Sequence, residues 1–88
     1  MKGKISRDQF KEQLDNEYSW PALYMFKFIV PNEQEQEVKA LFPYNELTSK
    51  ISKNGKYVSV TAQVMMNSSE AIVQIYEKAY KIEGIISL

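Results

Sequence analysis

Three features of this 88-residue chain predict an α+β sandwich built on an antiparallel sheet. Asn54-Gly55 stands between two strand-like runs, Glu46 to Lys53 and Lys56 to Asn67, and Asn-Gly in that setting is the strongest short-range hairpin signal. In the second run Val58, Val60, Ala62, Val64 and Met66 alternate with Tyr57, Ser59, Thr61 and Gln63, the period-two pattern of a strand with one buried face. A helix-like stretch lies on either side of the hairpin, with another strand-like run beyond each. The order is therefore strand, helix, strand, strand, helix, strand.

Composition bounds the rest. A chain of this length supports one domain with one modest core. The 44% apolar and 25% charged fractions are those of an ordinary globular sequence. Eleven basic residues balance eleven acidic ones, so no long-range field draws the protein to nucleic acid or to an anionic membrane. Cysteine is absent, which removes disulfides, thiolate nucleophiles and Cys-ligated metals and fits a reducing compartment. Histidine is absent too, and with it the commonest general base and metal ligand. Charged residues occupy the stretch from Met1 to Phe10 where a signal peptide needs an apolar block, and no apolar run approaches the ~20 residues of a membrane span; the expected location is the cytoplasm.

Taken in order, Ser6 to Glu17 reads as a short helix. Ser6 and Gln9 form a capping box, and Phe10 and Leu14 make a thin apolar stripe. Such a short amphipathic segment does not persist alone in water, so residues 1–18 are expected to be a loosely docked helical appendage to a domain spanning 19–88. Ser19-Trp20-Pro21 breaks the helix. Ala22 to Val30 is the first strand, with Tyr24, Phe26, Phe28 and Val30 on its core face and Met25, Lys27 and Ile29 on the other. Asn32 is placed to cap a helix from Glu33 to about Leu41, with Val38, Leu41 and Phe42 as its buried stripe and Pro43 as its stop.

Glu46 to Lys53 is a weaker strand in which only Leu47 and Ile51 are large and apolar, while Lys50 and Lys53 protect an exposed edge. After the alternating strand, Asn67 and Ser68 compete to cap a last helix whose stripe is Ile72, Ile75, Ala79 and Ile82; Gly84 ends it, and Ile85 to Leu88 closes the sheet. Right-handed crossovers place both helices on one face of a four-stranded antiparallel sheet in the order fourth, first, third, second. This is the ferredoxin-like βαββαβ sandwich, with one additional N-terminal helix.

The segment Ser52-Lys53-Asn54-Gly55-Lys56-Tyr57-Val58-Ser59-Val60-Thr61 resembles the signature of the YbeD-like family, small bacterial proteins known as domain of unknown function 493. Trp20-Pro21 followed by Phe26-Lys27-Phe28-Ile29 resembles that family's opening strand. Ile75-Tyr76 and the closing Gly84-Ile85-Ile86-Ser87-Leu88 resemble its last helix and strand. The likeness covers about Ser19 to Leu88. It implies a ferredoxin-like fold related to small regulatory modules of the ACT type, and it brings no established activity or catalytic residues. Where such relatives tend to place glycine between first strand and first helix, this chain has Val30-Pro31.

Candidate chemistry is sparse. Glu33, Glu35 and Glu37 are carboxylates at the positive end of a helix rather than a metal or acid/base cluster. Gly3, Gly55 and Gly84 stand outside any phosphate-cradling turn. No cofactor or metal is expected, and no catalysis. RNA-binding RRM domains share this topology, but Gly55 to Val60 has one aromatic where their pattern has several, so RNA binding is a remote second alternative and nucleic acid is not an expected partner.

What remains is surface. Met25, Lys27 and Ile29 with Tyr57, Ser59, Thr61 and Gln63 are predicted to line the open face of the sheet. Ile85 and Ile86 form an unprotected terminal edge open to β-augmentation. The leading expectation is a non-catalytic regulatory or adaptor domain that binds a protein partner, or a second copy, through that face or edge. The first alternative is an ACT-like sensor holding a small molecule at the first strand-helix connection.

Overall fold

The computed structural model describes residues 6–88. Residues 1–5, which include Gly3 and the start of the N-terminal appendage, lie outside the described residues. The elements are α1 (Arg7–Glu17), β1 (Ala22–Pro31), a 3-10 turn (Asn32–Gln34) leading into α2 (Glu35–Lys39), β2 (Thr48–Ile51), β3 (Tyr57–Met66), α3 (Ser69–Ala79) and β4 (Ile86–Ser87). One four-stranded antiparallel sheet runs β2-β3-β1-β4; counted from the β4 edge the strands come fourth, first, third, second. With three α-helices among the described residues, this is an α+β protein compatible with the ferredoxin-like arrangement.

The two ten-residue strands β1 and β3 pair along their whole length, Ala22 opposite Met66 through Pro31 opposite Tyr57. This register puts Tyr24, Phe26, Phe28 and Val30 on the same side as Val58, Val60, Ala62 and Met66, and all eight are buried. A one-residue slip would turn that set to water, so the alternation itself fixes the pairing. The helices cover this side. Val38 of α2 and Ile72, Val73, Tyr76 and Ala79 of α3 complete the core. Tyr76 is its hub: its ring lies 5.4 Å from Phe26, 5.7 Å from Phe28 and 5.5 Å from Phe10.

α1 is not a loose appendage. Phe10 and Leu14 are buried in the same core as the sheet, because α3 offers them Tyr76 and its neighbours. The capping box forms as the sequence indicates, with Ser6 and Gln9 each satisfying the other's backbone N–H. Arg7 then pairs with Glu70 and with Glu77 (3.1 Å), and Lys11 with Glu70 (3.4 Å), clamping α1 along α3.

Three further expectations need correction. Asn32 caps nothing: the chain enters a 3-10 turn, and α2 is only five residues long. Its Asn32 N–H instead donates to Lys56 C=O at 2.9 Å, extending the β1–β3 ladder past Pro31, which takes Asn32 out of a cap's position. Ile51 is exposed, because so short a helix leaves the β2 edge uncovered, while Leu47 is half-buried against the core.

The hairpin is centred on Asn54-Gly55, with Ile51 opposite Val58, but it is a wider loop than a two-residue turn. Gly55 N–H donates to Ser52 C=O, Asn54 Oδ1 accepts from Lys56 N–H, and of the loop residues only Gly55 has positive φ, +73°. Finally, α3 ends at Ala79, and Gly84 serves the following turn with φ +78°, where an added Cβ would come 2.8 Å from Pro31 Cγ.

Candidate functional site

The helices cover one side of the sheet and leave the other bare. Residues of opposite parity to the core set point there: Leu23, Met25, Lys27 and Ile29 of β1, and Tyr57, Ser59, Thr61, Gln63 and Met65 of β3. From the flanking strands come Thr48 and Lys50 of β2 and Ile86 of β4, placed beside Thr61, Ser59 and Ile29 by the pairing register. Leu88 joins them, since its N–H donates to Lys27 C=O at 2.9 Å and so continues the β4 register.

Much of this face is apolar and wet. Leu23 and Met65, directly opposite one another, are 56% and 60% exposed, and Met25 is 55% exposed. At the other end Tyr57, Ile86 and Leu88 are each about half exposed around the half-buried Ile29. A monomer gains nothing from such a surface, and contiguous exposed apolar patches on soluble proteins mark contact sites. A shallow depression of about 170 Å³ among Ile29, Lys50, Ile51, Ser52, Tyr57 and Ser59 is below the ~300–1,000 Å³ of small-molecule sites, so it suits one inserted side chain better than a metabolite.

The surface named from sequence is brought together with one exception. Met25, Lys27, Ile29, Tyr57, Ser59, Thr61, Gln63 and Ile86 share the open face. Ile85 does not: it precedes β4 and packs, half-buried, against the core. Leu23, Met65 and Leu88 are additions. The period-two rule that gave Met25 and Gln63 extends by one step to Leu23 and Met65, whereas Leu88 needed the β4 register.

The edge of the sheet is partly open as well. β4 accompanies β1 only at Phe28 and Ile29, plus the Leu88 bond to Lys27. Because Lys27 C=O points toward β4, the N–H and C=O groups of Leu23 and Met25 point the same way, where no strand among the described residues meets them.

Two polar pairs elsewhere hold the fold together. Tyr24 and Tyr76 hydroxyls lie 2.9 Å apart inside the core. Burial, then the hydrogen bond with Tyr24, pushes the Tyr76 hydroxyl well above the usual phenol range, and burial raises Tyr24 too, so both are neutral at ordinary pH. Glu35 is held below the usual carboxylate range by Lys39, at 3.2 Å, and by Ser49, tying α2 to β2. No three carboxylates converge as a metal site would require among the described residues, and there no helix is long and apolar enough to cross a membrane.

The first strand-helix connection, where an ACT-type module takes its ligand, carries Val30-Pro31 in this chain. Val30 is fully buried, and the Pro31 ring sits so close to Gly84 that not even a Cβ fits between them. No curated protein matches the chain, and no solved structure does. One family profile, described as a protein of unknown function (DUF493), matches residues 15–88, from the last turn of α1 to Leu88, and the chain belongs to that family.

Proposed function

We propose that the protein is a non-catalytic adaptor or regulatory domain that docks a protein partner on the open face of its sheet. One observation carries this reading: Leu23, Met25, Tyr57, Met65, Ile86 and Leu88 are exposed together on the face opposite a fully sealed core. Methionines suit such a role, since unbranched thioether side chains re-pack against varied apolar partners. The free β1 edge at Leu23 and Met25 adds backbone donors and acceptors beside that surface. The ACT-like sensor has less support, because Val30-Pro31 stands where such modules tend to place glycine, and the Pro31 ring packs against Gly84.

A photo-crosslinking amino acid tests the reading. Placed at Met25 in growing cells, it is expected to trap a discrete protein adduct that the same group at the exposed helical Gln36 does not. Equal labelling from both positions, or none from Met25, overturns the proposal.

A further inference from the structure

The balanced charge of the sequence conceals a segregation in the fold. None of the four strands contains Asp or Glu, and their charged residues are Lys27 and Lys50. Lys53 and Lys56 stand in the loop at the β2–β3 end of the same sheet. The acidic residues lie elsewhere: Asp8, Glu12, Asp15 and Glu17 on α1, Glu35 and Glu37 on α2, Glu70 and Glu77 on α3, and the others in the connections.

Lys27 is set within the apolar surface itself. Met25 and Ile29 flank it along β1, Thr61 lies across on β3, and Leu88 lies across on the β4 side. A purely apolar occupant would strip water from this ammonium unless its stem carries it to the rim, and would offer it no partner in return.

A second copy of the chain does not answer that need. Two sheets face to face bring four strand lysines together with no Asp or Glu side chain from the strands of either copy. A copy presenting its acidic helices instead offers charge without grease, since among the described residues no large exposed apolar side chain lies on a helix.

Resting on the docking reading above, we infer that the occupant of the open face is an acidic amphipathic segment of another protein, its apolar stripe over Met25, Ile29 and Met65 and its carboxylates over Lys27 and Lys50. Helix-in-groove recognition supplies the apolar part, and opposite charge at the rim supplies the choice of partner. RNA shares the negative charge, but the methionines, leucines and isoleucines of this face offer its bases little to stack upon.

Selection from a displayed library of randomised amphipathic helical peptides tests this without knowing the partner. Clones are counter-selected on the Met25→Asp/Met65→Asp variant, so that survivors need the sheet face, and then measured on Lys27→Glu/Lys50→Glu and on the milder Lys27→Gln/Lys50→Gln. Thermal melts check that each variant is folded. The expected result is a strong excess of Asp and Glu among survivors, with binding at least ten-fold weaker on both lysine variants and weakened by added salt.

Survivors with no acidic excess, as when the Lys27 ammonium reaches past Leu88 to water, overturn the charge inference and leave the docking reading standing. No sheet-dependent survivors at all overturn both. Mixed-sequence RNA oligonucleotides that displace the survivors at micromolar concentration and physiological salt also overturn the inference, in favour of a nucleic-acid face.

Discussion

The two faces of β1 and β3 are made by neighbouring residues of the same strands and have opposite fates. Phe26 is fully buried while Met25, one residue away, is 55% exposed; Val58 is fully buried while Tyr57 is 47% exposed. Apolar character does not separate them, since both faces are rich in it. Parity and handedness do. The right-handed crossovers carry the helices to one side of the sheet, so every residue of one parity receives a cover and every residue of the other is left for solvent or a partner. The bare face therefore reports on association, whereas the covered face reports on folding.

The largest expected effect falls on the covered face. Phe26→Ala removes a fully buried ring whose centroid lies 5.1 Å from that of Phe42 and 5.4 Å from that of Tyr76, both in tilted contact, at a site walled by backbone on one side and α3 on the other. Little collapse is available, so the loss should be about 3–5 kcal/mol in a denaturant melt. A loss below about 1 kcal/mol, the level expected of a surface site, would dissolve the distinction between the faces.

Next comes α1, which thickens the covered side. Leu14→Ala should cost about 2–3 kcal/mol, near the low end of core truncations because a helix at the periphery relaxes more than a central strand. Were α1 a detachable appendage, the same change would leave the melting of the sheet untouched. Near-silence of this variant would return α1 to that status.

A smaller effect follows from the clamp that holds α1. Arg7, and then Lys11, hold the Glu70 carboxyl at about 2, against an ordinary value of 4.5. A carboxylate whose folded value is depressed stabilises the fold above the ordinary value and loses that contribution as pH falls toward the folded one. Thermal melts from pH 5 down to pH 2 should therefore drop more steeply for the native chain than for Glu70→Gln, with the two curves converging at the acid end. Because both partners are more than a third exposed, salt should narrow the gap. Parallel curves would mean that the ion pairs decorate α1 without holding it.

How much of this was legible in the sequence follows from the same geometry. The long strand pair was readable because a strict alternation admits one register, and Ser6 with Gln9 announced α1 because a capping box is local chemistry. The burial of α1 was not readable: two apolar residues look like a thin face until α3 is seen to present Tyr76 to them. That same docking explains why Val73 and Tyr76 were absent from the expected stripe of α3. A helix held between a sheet and another helix buries a wider arc than one lying on a sheet alone.

The short α2 and exposed Ile51 were hidden because cap signals at Asn32 compete with continuation of the β1–β3 ladder, and only the paired strand reveals which wins. For the candidate face, period two placed Met25, Ile29 and Tyr57 correctly. It could not say that Ile85 turns inward, since the turn held by Gly84 sets the phase of β4.

The smallest expected change is the one that separates the two faces most sharply. Met25→Ser and Met65→Ser replace large apolar side chains on the bare side, where the native structure gives them little to touch. Their stability should move by no more than about 0.5 kcal/mol, as for surface positions without special contacts. A serine of lower strand propensity argues for a slight loss, and removal of exposed apolar surface argues for better solubility with no cost. The same substitutions should remove the Met25-directed crosslink and the peptide binding described above. Stability and association would then respond to alternate residues of one strand, and a melt in which Met25→Ser loses as much as Phe26→Ala would show that this face is covered after all.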